Sequence, residues 1–281
     1  MAYLGNQGAH TRWEVPVKKL SHREMLSTSE TSLKFLVKSV YDLLPTPSNK
    51  NTWFGSEDTC KLCGGNGTLT HILSGCKIAL AQGRYTWRHN QVLRQIVLFV
   101  DAKCRSHNSQ RRREEKRIQF VVAGEKKAPQ RCSPGSFLDG ANDWKLMADL
   151  DGNLKFPIQV ADSNQRPDMI LLSESTKRIG LIELTVPSED RVEVSGELKK
   201  AKYAPLQEQG KTNGWNVKLW ALEVGCRGFP AASMASFLKD MGITGGERNR
   251  QLRKIGEVAM NSSRKIWGWS HFPQWGKDKR K

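Results

Sequence analysis

Three cysteines and one histidine lie close enough in the sequence to bind one metal ion together. Cys60, Cys63, His71 and Cys76 have the spacing C-x2-C-x7-H-x4-C. The close cysteine pair can bind a tetrahedral ion from one turn while the other two complete the coordination, and zinc is the natural occupant of such a donor set. Because protein would fill all four positions, the site would be structural. The alternative is a set of buried core cysteines beside a chance histidine.

Two acidic residues in the second half of the chain could hold an ion of another kind. Asp168 precedes one apolar run, and Glu183 lies inside the next. A carboxylate in an apolar strand is costly unless a cation or hydrogen-bond donors compensate it, so both residues are expected to share Mg²⁺ or Mn²⁺. Such an ion supports phosphodiester hydrolysis, and Lys199 could orient the water or stabilise negative charge. Alternatively, Asp168 caps a turn and Glu183 faces water from an edge strand.

The charge balance favours a polyanionic partner. The chain has 281 residues, with 45 Lys and Arg against 28 Asp and Glu, a formal net charge of +17. DNA or RNA is the expected partner, although basic tails can produce the same excess. Cations mixed with an aromatic residue can grip phosphates and stack on bases, and the alternative for them is a solvated helix face. The expected nucleic-acid contacts are Arg84, Trp87, Arg88, His89, Arg111, Arg112 and Arg113.

Short apolar runs and helical patterns predict the elements that position these residues. Four runs have the length of strands, and a polar stretch with helix formers joins the third run to the fourth, which indicates an α/β unit. The predicted strands cover about 144–150, 169–173, 179–186 and 217–224. The predicted helices lie around 33–44, 78–103, 188–209, 231–241 and 247–267.

Composition shifts suggest a division of the chain. We expect a helical region at 1–104 with the cysteine-rich segment at 60–76, a basic linker or arm at 105–135, a nuclease domain at 136–268 and a basic tail at 269–281. Within the linker, Ile118 to Val122 could form a strand. No apolar run reaches 18 residues and the N-terminal segment lacks the pattern of a signal peptide, so we expect an intracellular protein with no membrane partner.

Several phrases of the sequence, in order, resemble one family. The arrangement of Pro167-Asp168, Glu183 and Lys199 looks like that of PD-(D/E)xK restriction-like nucleases. Together with the cysteine-rich segment it resembles the C-terminal region of non-LTR (LINE-type) retrotransposon polyproteins. Further matching phrases are Tyr41 to Pro47, Gly67 to Cys76, Tyr85 to His89, Glu183 to Pro187, Lys199 to Tyr203 and Val224 to Phe229.

The resemblance implies a fold, a reaction and a cellular location. The fold would be α/β, a restriction-endonuclease-like mixed sheet flanked by helices, preceded by a small helical zinc-knuckle unit. The chain would nick target DNA in the nucleus, and the freed 3′ end would prime reverse transcription of the element's RNA by a domain of the parent polyprotein. Asp168 and Glu183 would bind the metal ion, Lys199 would be the catalytic lysine, and Lys202 with Tyr203 would support it.

The sequence departs from the family pattern at two points. Thr185 stands where many such nucleases have a lysine, so the amine must come from the helix; Lys199 is preferred to Lys200 because it shares a helical face with Lys202. No F/Y-x-D-D motif of a reverse transcriptase occurs, which leaves a polyprotein fragment, a truncated copy or a host gene. Other readings are a non-catalytic nucleic-acid-binding protein that keeps the scaffold, and a junction-cleaving resolvase.

Overall fold

The computed structural model describes residues 25–26, 28–115 and 135–275. Within the segment 28–115, the side chains are described up to residue 109. The strand expected at Ile118 to Val122 and the last residues of the basic tail, 276–281, lie outside these ranges. None of the helices in the described ranges is both long and apolar enough to cross a membrane.

The N-terminal part is helical, and local capping signals set its boundaries. Helix α1 is Glu30–Val40 and α2 is Pro47–Phe54. Ser29 caps α1 by accepting a hydrogen bond from the backbone N–H of Ser32, and Thr46 caps α2 with a proline at its first position. A π-helical turn, His71–Gly75, and a short helix α3, Lys77–Ala81, lead to α4, Arg84–Glu115.

Helix α4 is longer than predicted and begins later. The helix expected at 78–103 is interrupted at Gly83, whose φ of 72° lies in the left-handed region that glycine adopts at little cost. Beyond it, α4 continues for 32 residues to Glu115. The first part of the expected linker is therefore helical, and Arg111, Arg112 and Arg113 lie on its last turns.

In the part of the chain that the structure describes, a four-stranded mixed sheet forms the centre of the second half. The strands are β1 Lys145–Ala148, β2 Met169–Ser173, β3 Arg178–Thr185 and β4 Asn216–Glu223. They lie in sequence order, antiparallel up to β3 and parallel between β3 and β4. A parallel pair needs a long crossover, and α5, Val192–Thr212, provides it. Two more helices follow, α6 Ala232–Asp240 and α7 Gly245–Gly268. The predicted strands and crossover are confirmed within a few residues.

Alternation along the strands divides the core into two layers. Ile182 and Leu184 point to the layer formed with α4, α6 and α7, whereas Ile179 and Leu181 point to the layer formed with α5. Successive strand residues face opposite sides, so Glu183 shares the α5 side with Leu181. This parity brings the carboxylate to the helix that carries Lys199.

The expected boundary after residue 104 does not separate two cores. Apolar residues of α4, among them Val92, Leu93 and Ile96, are fully buried in the same cluster as the sheet residues Leu171 and Leu184. Helix α4 thus belongs to the fold of the second half while its first turns contact the cysteine-rich segment. A third cluster packs α1 on α7 and on Leu73.

Candidate functional site

Cys60, Cys63, His71 and Cys76 converge on one point. Their donor atoms all lie within 4.8 Å of one another, and Cys63 Sγ is 3.2 Å from His71 Nε2. A tight turn presents the first pair: the N–H of Gly64 donates to the carbonyl of Cys60 at 2.8 Å, and Gly64 has a φ of 68°. The π-helical turn then places His71 and Cys76 opposite this cysteine pair. Three sulfurs and one imidazole nitrogen at this spacing can bind a metal ion such as zinc.

The protonation of the cluster suits a ligand role for the imidazole. Burial lowers the pKa of His71, which favours the neutral ring that a metal requires. Burial raises the pKa of the Cys76 thiol to about 11. For Cys63, burial raises the pKa, but hydrogen bonds from the Gly65 N–H and the neighbouring thiols outweigh it, so that its pKa lies below the ordinary thiol value.

Asp168 and Glu183 meet at the edge of the sheet. Glu183, near the C-terminal end of β3, accepts a hydrogen bond from the backbone N–H of Asp168 at 3.3 Å. In return, Asp168 Oδ2 accepts one from the N–H of Leu184 at 2.7 Å. The side chain of Glu183 is 4% exposed and that of Asp168 is 18% exposed. The two acids therefore form one cluster, with Asp168 on its outer side.

Helix α5 supplies the cation that compensates Glu183. Lys199 Nζ contacts Glu183 Oε1, whereas the neighbouring Lys200 turns away and pairs with Glu197 at 2.7 Å. Thr185 stands where many nucleases of the resembled family have a lysine, and its buried hydroxyl has no hydrogen-bond partner among the described residues. The amine at the carboxylate is therefore that of Lys199.

Tyr203 and Lys202 line the same side. The Tyr203 hydroxyl donates to the carbonyl of Arg166 at 2.9 Å and accepts from Lys202 Nζ at 2.9 Å. Burial, reinforced by the charges of Glu183 and Asp168, raises the pKa of Tyr203 far above its ordinary value. Tyr203 is thus a neutral donor that holds the segment before Asp168 in place.

His89 also reaches this cluster, which the sequence did not indicate. Its Nε2 lies 3.2 Å from Asp168 Oδ2 and 3.2 Å from the carbonyl oxygen of Leu184. Burial lowers the pKa of His89, but the hydrogen bond and charge of Asp168 outweigh it, together with hydrogen bonds that the ring donates to Asn90 Oδ1 and to the Leu184 carbonyl, so the pKa lies above its ordinary value. His89 was expected to contact nucleic acid, and its ring points into the fold instead.

Arg84 and Arg88 do not present their charges to solvent, contrary to the expected nucleic-acid contacts. Arg84 is 0% exposed and donates to the carbonyls of Trp269 and Phe272 at 2.6 and 2.8 Å. Arg88 is 2% exposed and also donates inside the fold. Trp87 is half-buried with its ring 5.5 Å from that of Trp275. Both guanidinium groups satisfy backbone carbonyls, which is how a buried cation is compensated.

Two further buried acids had no sequence signal. Glu189 and Arg227 form an ion pair of 2.6 Å with side chains 2% and 5% exposed. Arg227 also donates to the carbonyl of Ser39 in the last turn of α1, so this pair joins the N-terminal helix to the end of the sheet. Glu223, at the end of β4, accepts a hydrogen bond from Ser233 and lies against Gly196 of α5.

In comparisons with known proteins, no family model and no curated protein matches this chain. The geometry of the site therefore carries the functional argument.

Proposed function

We propose that this chain is a divalent-metal-dependent DNA endonuclease whose site consists of Asp168, Glu183 and Lys199. The observation that carries the proposal is the position of Glu183: it is buried near the C-terminal end of β3 and contacts the backbone of Asp168 and the amine of Lys199. Burying a carboxylate costs free energy that only a cation or hydrogen-bond donors recover, and clusters of such charged groups are typical of functional sites. The partly exposed carboxylate beside it gives a phosphate access to the cluster.

The roles of the residues follow from their surroundings. Asp168 and Glu183 would hold a divalent ion, which supplies a water of lowered pKa and neutralises charge on the phosphate. Lys199, a cation 30% exposed beside Glu183, would stabilise the negative charge that develops on the phosphate oxygens. Tyr203 fixes the backbone that leads into Asp168. The net charge of +17 favours association with the DNA backbone.

Two finer assignments belong to the same proposal. The first is a restriction-endonuclease-like core, formed by the mixed sheet and α5. In this core Asp168 would precede β2, Glu183 would lie on β3 and Lys199 on the crossover helix α5. The ion at the four-residue cluster would be zinc, and this unit would assist nucleic-acid binding. The ordered phrases of the sequence support an origin in a non-LTR retrotransposon, where nicking in the nucleus would prime reverse transcription of the element RNA.

The test is cleavage of supercoiled plasmid with Mg²⁺ or Mn²⁺. The native chain should convert it to the open circle, and EDTA should abolish this. Asp168→Asn, Glu183→Gln and Lys199→Ala should each reduce the rate by about 100-fold or more, as expected for groups that act on the reacting atoms. Lys200→Ala removes the same charge one position away and should keep the rate. Equal rates for the native chain and the Asp168 and Lys199 variants, all folded by circular dichroism, would contradict the proposal.

One observation favours a second candidate, a nucleic-acid-binding protein without catalysis. Each acid already has an internal partner, His89 for Asp168 and Lys199 for Glu183, as in a purely structural network. Filter binding without turnover on linear, supercoiled and branched DNA would support this candidate. Cleavage of branched substrates alone would instead indicate a junction resolvase.

A further inference from the structure

The hydrogen bonds around Asp168 leave its two carboxylate oxygens in different situations. Oδ2 accepts from the N–H of Leu184 at 2.7 Å and lies 3.2 Å from His89 Nε2. Within the described part of the chain, no donor contacts Oδ1. One oxygen is therefore held by the protein and the other can serve an external cation.

The protonation of His89 at Nε2 follows from its partners. Nε2 lies equally far, 3.2 Å, from Asp168 Oδ2 and from the carbonyl oxygen of Leu184. A carbonyl oxygen can only accept, so Nε2 carries a proton shared between both oxygens. The shared proton links Asp168, which precedes β2, to Leu184, which follows Glu183 on β3.

The imidazole is itself held rigidly. His89 lies near the start of α4, and its Nδ1 is 3.0 Å from Asn90 Oδ1. The preceding residue, Arg88, fixes the helix to the end of β3 through a 2.8 Å bond to the carbonyl of Val186. The side chain of His89 is 22% exposed, and both of its ring nitrogens have polar partners.

We propose that His89 is a positioning residue that turns Oδ1 of Asp168 toward the divalent ion by holding Oδ2. This inference rests on the proposed function, since it requires Asp168 to be a metal ligand. Groups that orient a metal-binding carboxylate typically change metal affinity about 10–100-fold when removed. His89 would hold Asp168 through the hydrogen bond between Nε2 and Oδ2, and this role does not depend on the charge of the ring.

The test measures Mn²⁺ binding to the zinc-loaded full chain by titration calorimetry and electron paramagnetic resonance. His89→Ala should weaken binding about 10–100-fold, whereas His89→Gln, whose amide can donate from nearly the same place, should recover most of the affinity. The matched control is His107→Ala, because His107 is also a half-buried histidine of α4 that donates to a carbonyl, that of Ala141 at 3.1 Å. This control should bind Mn²⁺ as the native chain does.

The outcomes separate the two proposals. If Asp168→Ala abolishes binding but His89→Ala retains native affinity, the role of His89 is overturned and the nuclease proposal stands. Equal losses for His89→Ala and His107→Ala, or no recovery in His89→Gln, also overturn it, because they indicate a general loss of α4 packing. If Asp168→Ala binds Mn²⁺ as the native chain does, the metal site is absent and both proposals fail.

Discussion

Arg88 Nη2 donates a 2.8 Å hydrogen bond to the carbonyl oxygen of Val186, the residue that follows β3. The same guanidinium donates to the carbonyl of Leu73 at 2.8 Å and to Ser263 Oγ at 3.0 Å. Leu73 lies in the turn between His71 and Cys76, two members of the cysteine–histidine cluster. One buried side chain therefore connects the cysteine cluster, the strand of Glu183 and α7.

Replacing Arg88 should destabilise the whole fold. In Arg88→Met, the carbonyls of Leu73 and Val186 lose their donor while buried, which costs about 1–3 kcal/mol for each unsatisfied group. Arg94→Met changes an exposed arginine of the same helix and should stay within about 0.5 kcal/mol of native. Urea unfolding, monitored by circular dichroism, measures the free energy of unfolding of both variants. Equal values for the two variants would show that the hydrogen bonds of Arg88 do not stabilise the fold.

Loss of a cysteine ligand should release the ion and loosen more than its own loop. Cys60→Ser should lower the bound metal, measured by elemental analysis, and lower the melting temperature, because the cluster lies against the residues that Arg88 ties to the sheet. Cys104→Ala, at a buried cysteine outside the cluster, should keep its metal. Native metal content in Cys60→Ser would exclude this site.

The approach of α5 to β4 depends on Gly196. A Cβ at this position would overlap the carboxylate of Glu223, so Gly196→Ala should destabilise the chain by about 1–3 kcal/mol through overpacking. Gly246→Ala lies in α7 with nothing near the added carbon and should be neutral or slightly stabilising. Thermal unfolding of the two variants tests the contact. A native melting temperature for Gly196→Ala would show that α5 can shift away from Glu223 without loss of stability.

Glu223 gives the stability a defined pH dependence. Burial raises the pKa of this carboxyl above 4.5, although the Ser233 hydroxyl bound to it acts in the opposite direction. A raised folded-state pKa contributes stability below the unfolded pKa, and this contribution is lost as the pH rises through the folded value. Glu223→Gln should therefore be more stable than native at pH 7, with a difference that shrinks below pH 4.5. Urea unfolding of both chains across this pH range measures the difference, and a difference that stays constant would contradict the assignment.

The strands and the acidic cluster could be predicted because their signals are local. A carboxylate inside an apolar run stands out without any knowledge of the fold, and the length of the run defined β3. Likewise, the spacing of Cys60, Cys63, His71 and Cys76 contains most of the geometry of the cluster. The choice of Lys199 over Lys200 followed from helical periodicity alone, and it is Lys199 that contacts Glu183.

The contacts of α4 could not be predicted because they depend on which helix faces are covered. His89 and Asp168 are 79 residues apart in sequence, and no local pattern pairs them. Arg84 and Arg88 resembled solvent-facing cations because a sequence shows charge and not its partners, which here are backbone carbonyls from several parts of the chain. The packing of α4 on elements of both halves was missed for the same reason.

The length of α4 relates the acidic cluster to the dimensions of duplex DNA. A helix rises about 1.5 Å per residue, so the distance along it from His89 to Arg111 is about 33 Å, close to one turn of B-form DNA at about 34 Å. If the proposed function holds, a duplex lying along α4 with a phosphate at Asp168 would reach the helix turns of Arg111, Arg112 and Arg113 about one turn of DNA away. Footprints of the bound chain should then extend about ten base pairs to one side of the nick.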